Sequence, residues 1–225
     1  LVFILCVSTF AILNNINNSF MAKVPMRGGN LVEGIIGTPR FINPVLASSL
    51  PDQDLVSLVY SGLMRKNPDG SLALDLASKY EVSEEGLSYV FTLKDKIYFH
   101  DETPVTSDDI VFTINKIKDP TIKSPRQGNW DGVTVSKINE RTIKFTLKQS
   151  YASFLENTTM GIMPAHLWDA SPIELNDTNI KPIGSGPYKI DEVGKQASGL
   201  IDYYDLIAFK EFNLGEPYIK KLTLR

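Results

Sequence analysis

Between Leu87 and Leu93 the chain alternates. Leu87, Tyr89, Phe91 and Leu93 fall on one side of an extended backbone, Ser88, Val90 and Thr92 on the other. A two-residue period of this kind marks a half-buried strand, and such a strand needs an apolar layer against one face. Candidates of both periods are present. Ile110, Ile114 and Ile117 recur at helical spacing behind Thr106, and Leu55, Leu58 and Val59 do so behind Pro51. Val133, Val135 and Ile138, then Ile143, Phe145 and Leu147, read as a hairpin turned by Asn139-Glu140-Arg141. Short strands interspersed with isolated helices exclude a helix bundle and give a mixed α/β (α+β) fold.

The punctuation between these segments has identifiable chemistry. Leu31-Val32 and Ile35-Ile36 read as strand, broken by Gly34 and Gly37. Phe41-Ile42-Asn43-Pro44 and Asn67-Pro68-Asp69-Gly70 read as turns. Gly62 is placed as the C-terminal cap of the helix opened by Pro51. Thr106 with Asp109 three residues on resembles a capping box, and Asp119-Pro120 ends that helix. Short helical pieces are expected near Phe154-Leu155 and from Pro164 to Trp168, and 170–182 reads as loop. The turn Gly184-Ser185-Gly186-Pro187 leads into a strand, with further strands at Ile207–Phe209 and Leu222–Leu224.

Composition narrows the function. With 225 residues, 43% apolar and 22% charged, the chain is globular and can bury a sizeable core. A net charge of -3 gives no basic surplus for nucleic acid. One cysteine, Cys6, excludes a disulfide framework or thiolate zinc site, and two histidines, His100 and His166, give a metal little to bind. The glycine clusters Gly28-Gly29 and Gly184-Ser185-Gly186 lack phosphate-loop spacing. Neighbours in Asp101-Glu102 and Asp108-Asp109 do not form an acid/base couple; the second pair suits a helix N-terminus. His100, Asp101, Asp108, Asp109 and His166 therefore read as structural, and nothing proposes an enzyme, a cofactor or a metal site.

Residues 1–13 form an uncharged apolar run, followed by Asn14, Asn15, Asn17 and Asn18. Such a run is the hydrophobic part of a secretory signal or the visible part of a membrane anchor. Cys6 reads as one more apolar residue of it, because a lipid-modified cysteine would end the run. The expectation is an extracytoplasmic domain, in the periplasm or on the outer face of the cell membrane, tethered through residues 1–22.

An ordered series of motifs carries a resemblance. It runs through Gly28-Gly29-Asn30-Leu31, Phe41-Ile42-Asn43-Pro44, Val59-Tyr60-Ser61-Gly62-Leu63 and Leu74-Asp75-Leu76-Ala77. It continues through Ser83–Leu93, Phe99–Thr113, Met163-Pro164-Ala165-His166 and Gly184-Ser185-Gly186-Pro187-Tyr188. The series resembles the peptide/nickel-type extracellular solute-binding proteins of ABC transporters, the oligopeptide- and dipeptide-binding group. Glu102 stands where that family usually has Gly, and Ser185 where it usually has Thr.

The resemblance implies a periplasmic-binding-protein-like type II fold of two lobes, with only the first lobe and its extra subdomain in this chain. Residues 23–62 and 181–225 then form the first lobe, and 63–180 the inserted subdomain. The implied function is capture of peptides and their delivery to a membrane permease. A sensor or adhesion module on the same fold is the competing class, and nickel or haem are competing solutes.

In relatives the segment before the Asn-Pro turn lines the cleft and pairs with peptide backbone, which places Thr38, Pro39, Arg40 and Phe41 at the site. Pro39 lacks an N–H and interrupts such pairing. Arg40 is a candidate for a ligand carboxylate, with plain solvation as the alternative. Trp130 is a candidate cleft aromatic, with local packing as the alternative. The 225 residues alone are expected to bind no peptide tightly, since half the contacts would belong to the second lobe.

Overall fold

A computed structural model describes residues 3, 7–13, 16, 24–168 and 172–225. Cys6, Asn14, Asn15, Asn17, Asn18 and Ala22 lie outside the described residues. Residues 7–13 are helical and exposed, and among the described residues no helix is long and apolar enough to cross a membrane.

In chain order the molecule presents β1 (Asn30–Glu33), α1 (Leu50–Val59), β2 (Met64–Lys66), β3 (Leu72–Leu74), β4 (Ala77–Val82), β5 (Ser88–Leu93) and α2 (Ser107–Lys118). There follow β6 (Val133–Asn139), β7 (Thr142–Leu147), α3 (Phe154–Asn157), α4 (Ala165–Trp168), β8 (Tyr188–Lys195), β9 (Ile201–Ala208) and β10 (Lys221–Leu224). One antiparallel sheet has the order β4-β5-β7-β6. A second, β1-β10-β9-β8, brings the first strand together with the last three, with β1 parallel to β10. A small hairpin, β2-β3, is turned by Asn67–Gly70, with Gly70 at a φ of +85° as the turn requires.

The alternation around Phe91 does what its period demands. Tyr89, Phe91 and Leu93 are buried, as are their cross-strand neighbours Phe145 and Ile143. Ile110, Ile114 and Ile117 of α2 join the same apolar core. Each fully buried side chain of this size contributes about 1.5–3 kcal/mol relative to exposure. An aromatic cluster extends the layer: Trp130 lies 5.7 Å from Phe145 and 6.1 Å from Phe154, ring to ring, and Phe154 lies 4.5 Å from Tyr89.

Three local expectations need correction. Ile35-Ile36 is not strand, because β1 ends at Glu33 and the chain bends at Ile36. Ile138 does not face inward; a register irregularity between Lys137 and Asn139 turns it out to solvent. Gly62 does not cap α1, which ends on Tyr60 in an extended conformation. Gly62 is required for proximity instead: a Cβ there would lie 2.6 Å from the Thr159 carbonyl carbon.

Candidate functional site

The segment singled out in sequence, residues 37–41, leads into the Asn-Pro turn over the start of α1. Ser49 caps α1, and Asp52 in its first turn is buried. Asp52 accepts the Ser49 hydroxyl at 2.6 Å and, through Oδ1, the main-chain N–H of Arg40 at 2.7 Å and of Phe41 at 3.0 Å. A carboxylate accepting main-chain N–H groups makes charge-assisted bonds that hold the loop firmly. Those donors are therefore spent inside the protein. Pro39 is buried and has none, so none of the main-chain N–H groups from Pro39 to Phe41 is left to pair with an extended peptide. Thr38 is exposed and keeps its N–H. The Arg40 guanidinium lies over the ring of half-buried Phe41, 5.6 Å from its centroid.

Trp130 is only 2% exposed and packs on Phe145 and Phe154. Its ring is packed in the core, and it also lines a hollow of about 210 Å³ beside Arg126. The Asn-Pro turn is itself a rigid device. The Asn43 side-chain carbonyl accepts the Val45 N–H at 2.8 Å, and its amide donates to Asn179 at 3.1 Å. Ser124 donates to the Val45 carbonyl at 2.6 Å, which ties the 124–130 segment to the turn.

Beside this turn runs an open trough. Pro44, Gln53 and Ser57 of α1, Tyr60, Arg126, Thr159 and Gly161 surround a space of about 240 Å³. Beyond Arg126 and Met160 it adjoins a second hollow of about 210 Å³ walled by Asn129, Glu156 and Asn157. Its floor is built by close approach, since a Cβ on Gly161 would lie 2.5 Å from that of Tyr60. The Tyr60 hydroxyl donates to the Ile42 carbonyl at 3.3 Å, and burial pushes its pKa well above the ordinary tyrosine range.

Most polar groups here are engaged. Thr159 donates to the Glu156 carbonyl at 2.8 Å, Asn157 to the Asn129 carbonyl at 2.7 Å, and Gln53 to the Ser48 carbonyl at 3.1 Å. Arg126 differs. Its Nε is buried without a hydrogen-bond partner, burial pushes its pKa down, and no carboxylate among the described residues lies within ion-pairing distance of it. Sequence reasoning missed Arg126. The local signal is faint: a basic residue in Ser-Pro-Arg-Gln-Gly with no acid within four positions. A more apolar groove of about 410 Å³ lies at the end of β1, between Ile35, Ile36, Leu50 and Leu58.

The other residues weighed in sequence are placed as structure. His100 is buried. Its Nδ1 accepts the Gly184 N–H at 3.3 Å, and its Nε2 lies 3.0 Å from the Gly186 carbonyl, which fixes a neutral ring with the proton on Nε2. Burial lowers its pKa to about 4. Gly184 and Gly186 are required for close approach to the end of α1: a Cβ would meet the Val59 carbonyl oxygen at 2.1 Å and the Leu58 carbonyl oxygen at 2.6 Å.

Asp109 accepts the Thr106 N–H at 2.9 Å and the Ala165 N–H at 2.9 Å, so it caps α2 and anchors α4 together. Asp101 accepts Thr103 and pairs with His166 at 2.8 Å. Burial raises its pKa, but those partners together outweigh burial and hold it below the ordinary range. Asp108 is exposed and pairs with Lys137. Among the described residues no cluster of His, Cys, Asp and Glu could hold a metal.

Comparison with known proteins places this geometry in a family. Residues 71–225 match the model described as bacterial extracellular solute-binding proteins, family 5 Middle. The chain is 31% identical over 211 residues to the oligopeptide-binding protein AppA of Bacillus subtilis, covering 91% of this chain but 38% of AppA. The crystal structure of AppA in complex with a nonapeptide superimposes with a TM-score of 0.81 over 89% of this chain and 40% of that one. CtaP from Listeria monocytogenes, an ABC transporter substrate-binding protein, shares 36% identity at a TM-score of 0.78, covering 88% of this chain and 40% of that one. NikZ from Campylobacter jejuni in complex with Ni(L-His) shares 28% at 0.79, covering 87% and 38%. The chain thus spans about two-fifths of the proteins it matches. Its fold is that of part of a two-lobed periplasmic binding protein, and the chain belongs to the bacterial extracellular solute-binding proteins, family 5.

Proposed function

We propose that the protein captures peptides outside the cytoplasm, without catalysis, as the solute-binding component of an ABC importer, and passes them to a membrane permease. The observation that carries this reading is the open trough between the Asn-Pro turn, α1 and residues 159–161. It lies in a chain 31% identical to a protein named for oligopeptide binding. A polar-rimmed hollow with a few fixed polar groups is the usual form of a small-ligand site. In this reading residues 23–62 and 181–225 form one lobe and 63–180 an inserted subdomain. The opposite wall of the trough comes from a second lobe, in keeping with the greater length of the relatives. Hinge closure of the lobes would signal occupancy to the permease. Thr38 and Arg40 meet the solute ahead of the Asn-Pro turn in this reading, while Phe41 supports Arg40 and Pro39 shapes the loop. Export directed by the apolar run at 1–13 completes the proposal.

The experiment is an amide NMR titration of the purified protein with a di- to pentapeptide library, which detects weak binding by a single lobe. Saturable shifts at Gln53, Ser57 and Thr159–Gly161 are expected. No shift with peptides at millimolar concentration, or equal shifts with simple sugars, overturns the reading. Ni(L-His) belongs in the same panel, because NikZ is similar over 87% of this chain.

A further inference from the structure

We infer that Arg126 is a carboxylate-recognition site, so that the trough selects solutes that carry a carboxylate and deliver it beside Thr159 and Met160. The inference deepens the peptide-capture reading and rests on it for the identity of the solute, but not for the site itself.

Geometry carries the argument. Arg126 lines both hollows, of about 240 and 210 Å³, together with Thr159 and Met160, and is the one charged residue among the three. A guanidinium stays charged in proteins and presents five donors in a planar fork. Its Nε is buried and donates to nothing. An unsatisfied buried donor is costly, more so when it is charged, and neutralisation does not relieve an arginine as it would a lysine.

The surroundings offer no internal remedy. Glu156 walls the outer hollow, but it is exposed and makes no ion pair with Arg126. Tyr151, Asn157 and Thr159 are bonded among themselves or to main chain. The position of Arg126 is nevertheless held. Its own N–H donates to Ser124 Oγ at 3.2 Å, and Ser124 is fixed to the Asn-Pro turn through Val45. A charged fork that lines both hollows from a held main-chain position, with no internal partner on Nε, suits a planar anion.

A carboxylate matches the fork with two parallel N–H···O bonds. It can come from the terminus of a peptide, from an Asp or Glu side chain, or from a non-peptide acid, and the trough is wide enough for any of these. The apolar floor of Met160 and Tyr60 keeps water from one side of the pair, which strengthens it.

The test reads the Arg126 Nε–H resonance of the purified protein directly. Titration with acetate and succinate, against chloride at equal ionic strength, should move that resonance saturably, and the movement should vanish in Arg126→Gln. No saturable movement up to tens of millimolar overturns the inference whatever peptides do. Peptides then sort the source of the carboxylate. Free-terminus peptides, their C-terminal amides, and Glu/Gln pairs of amidated peptides are titrated against wild type, Arg126→Gln and Arg126→Lys. The matching carboxylate should strengthen binding about tenfold to a hundredfold in wild type. It should add little in Arg126→Gln, and Arg126→Lys should recover only part, because it keeps the charge without the fork. Peptide binding that is equal across all three proteins overturns the inference while leaving peptide capture intact. An Nε–H response to succinate with no response to any peptide leaves the carboxylate site standing and removes the peptide reading.

Discussion

His100 and Arg126 are both nitrogen-rich side chains at least partly withdrawn from water, and they have opposite fates. Every ring nitrogen of His100 is bonded to the backbone of the Gly184–Gly186 turn. The Nε of Arg126 is bonded to nothing. The first pattern seals two parts of the fold together. The second leaves a charged group without an internal partner on Nε in the wall of the trough. A buried polar group that finds its partners within the chain belongs to stability, and one that does not needs another explanation, which for Arg126 its place in a trough wall supplies. Asp52 and Asp109, which accept internal N–H groups, fall with His100 on the sealed side.

Changing pH tests the sealed side most strongly. The folded pKa of His100 is depressed to about 4, so its contribution is complete above the ordinary value of 6.5 and is lost as pH falls toward 4. Stability should drop by roughly 3 kcal/mol over that window through this group alone. Urea denaturation of wild type and His100→Gln between pH 7 and 4 should show the extra decline only in wild type. Parallel declines would mean that the ring is not held neutral.

Asp109→Ala follows. It orphans the N–H of Ala165 and of Thr106, and should cost about 2–3 kcal/mol, measured by the denaturation midpoint at pH 7. A cost below 0.5 kcal/mol, on the order of an ordinary surface change, would show that water replaces the carboxylate easily.

Glu102 offers a change of opposite sign. It adopts a φ of +69°, where the related family usually places Gly. Glu102→Gly should stabilise by about 1 kcal/mol by removing the strain of a left-handed side-chain-bearing residue. The smallest effect belongs to Arg126→Gln. With no internal partner to lose, stability should stay within about 0.5 kcal/mol of wild type. A large loss would place Arg126 on the sealed side of the comparison.

Much of the architecture is readable from local period. β5, α2 and the β6–β7 hairpin each carry enough alternating or helically spaced apolar residues to declare themselves, and Asp119-Pro120 does end α2. β4 was missed for a physical reason: it lies at a sheet edge, and only Ala77 of its residues is buried, so no alternation is written into it. β2 and β3 are too short for a period to appear. The site is less legible because its defining property is relational. Nothing near Arg126 in sequence tells that its Nε has no partner. Nothing near Phe41 tells that Asp52 takes its N–H. The burial of Trp130 likewise depends on Phe145 and Phe154, distant in sequence.

The parallel pairing of β1 with β10 has a consequence for the order of assembly. Asn30 meets Lys221, and Val32 meets Thr223, so this edge of the sheet closes only after nearly the whole chain is available. Closing so long a loop is entropically unfavourable and slow relative to local hairpins. The β4–β7 sheet, whose strands are near neighbours in sequence, can form while Leu31 and Val32 still wait for a partner. Pulsed hydrogen exchange during refolding should therefore protect Tyr89 to Leu93 before Leu31 to Glu33. Simultaneous protection would mean that the two sheets fold as one unit. Until β10 arrives, β1 is a strand with an unpaired edge, and that interval is when this chain is most exposed to pairing with another copy of itself.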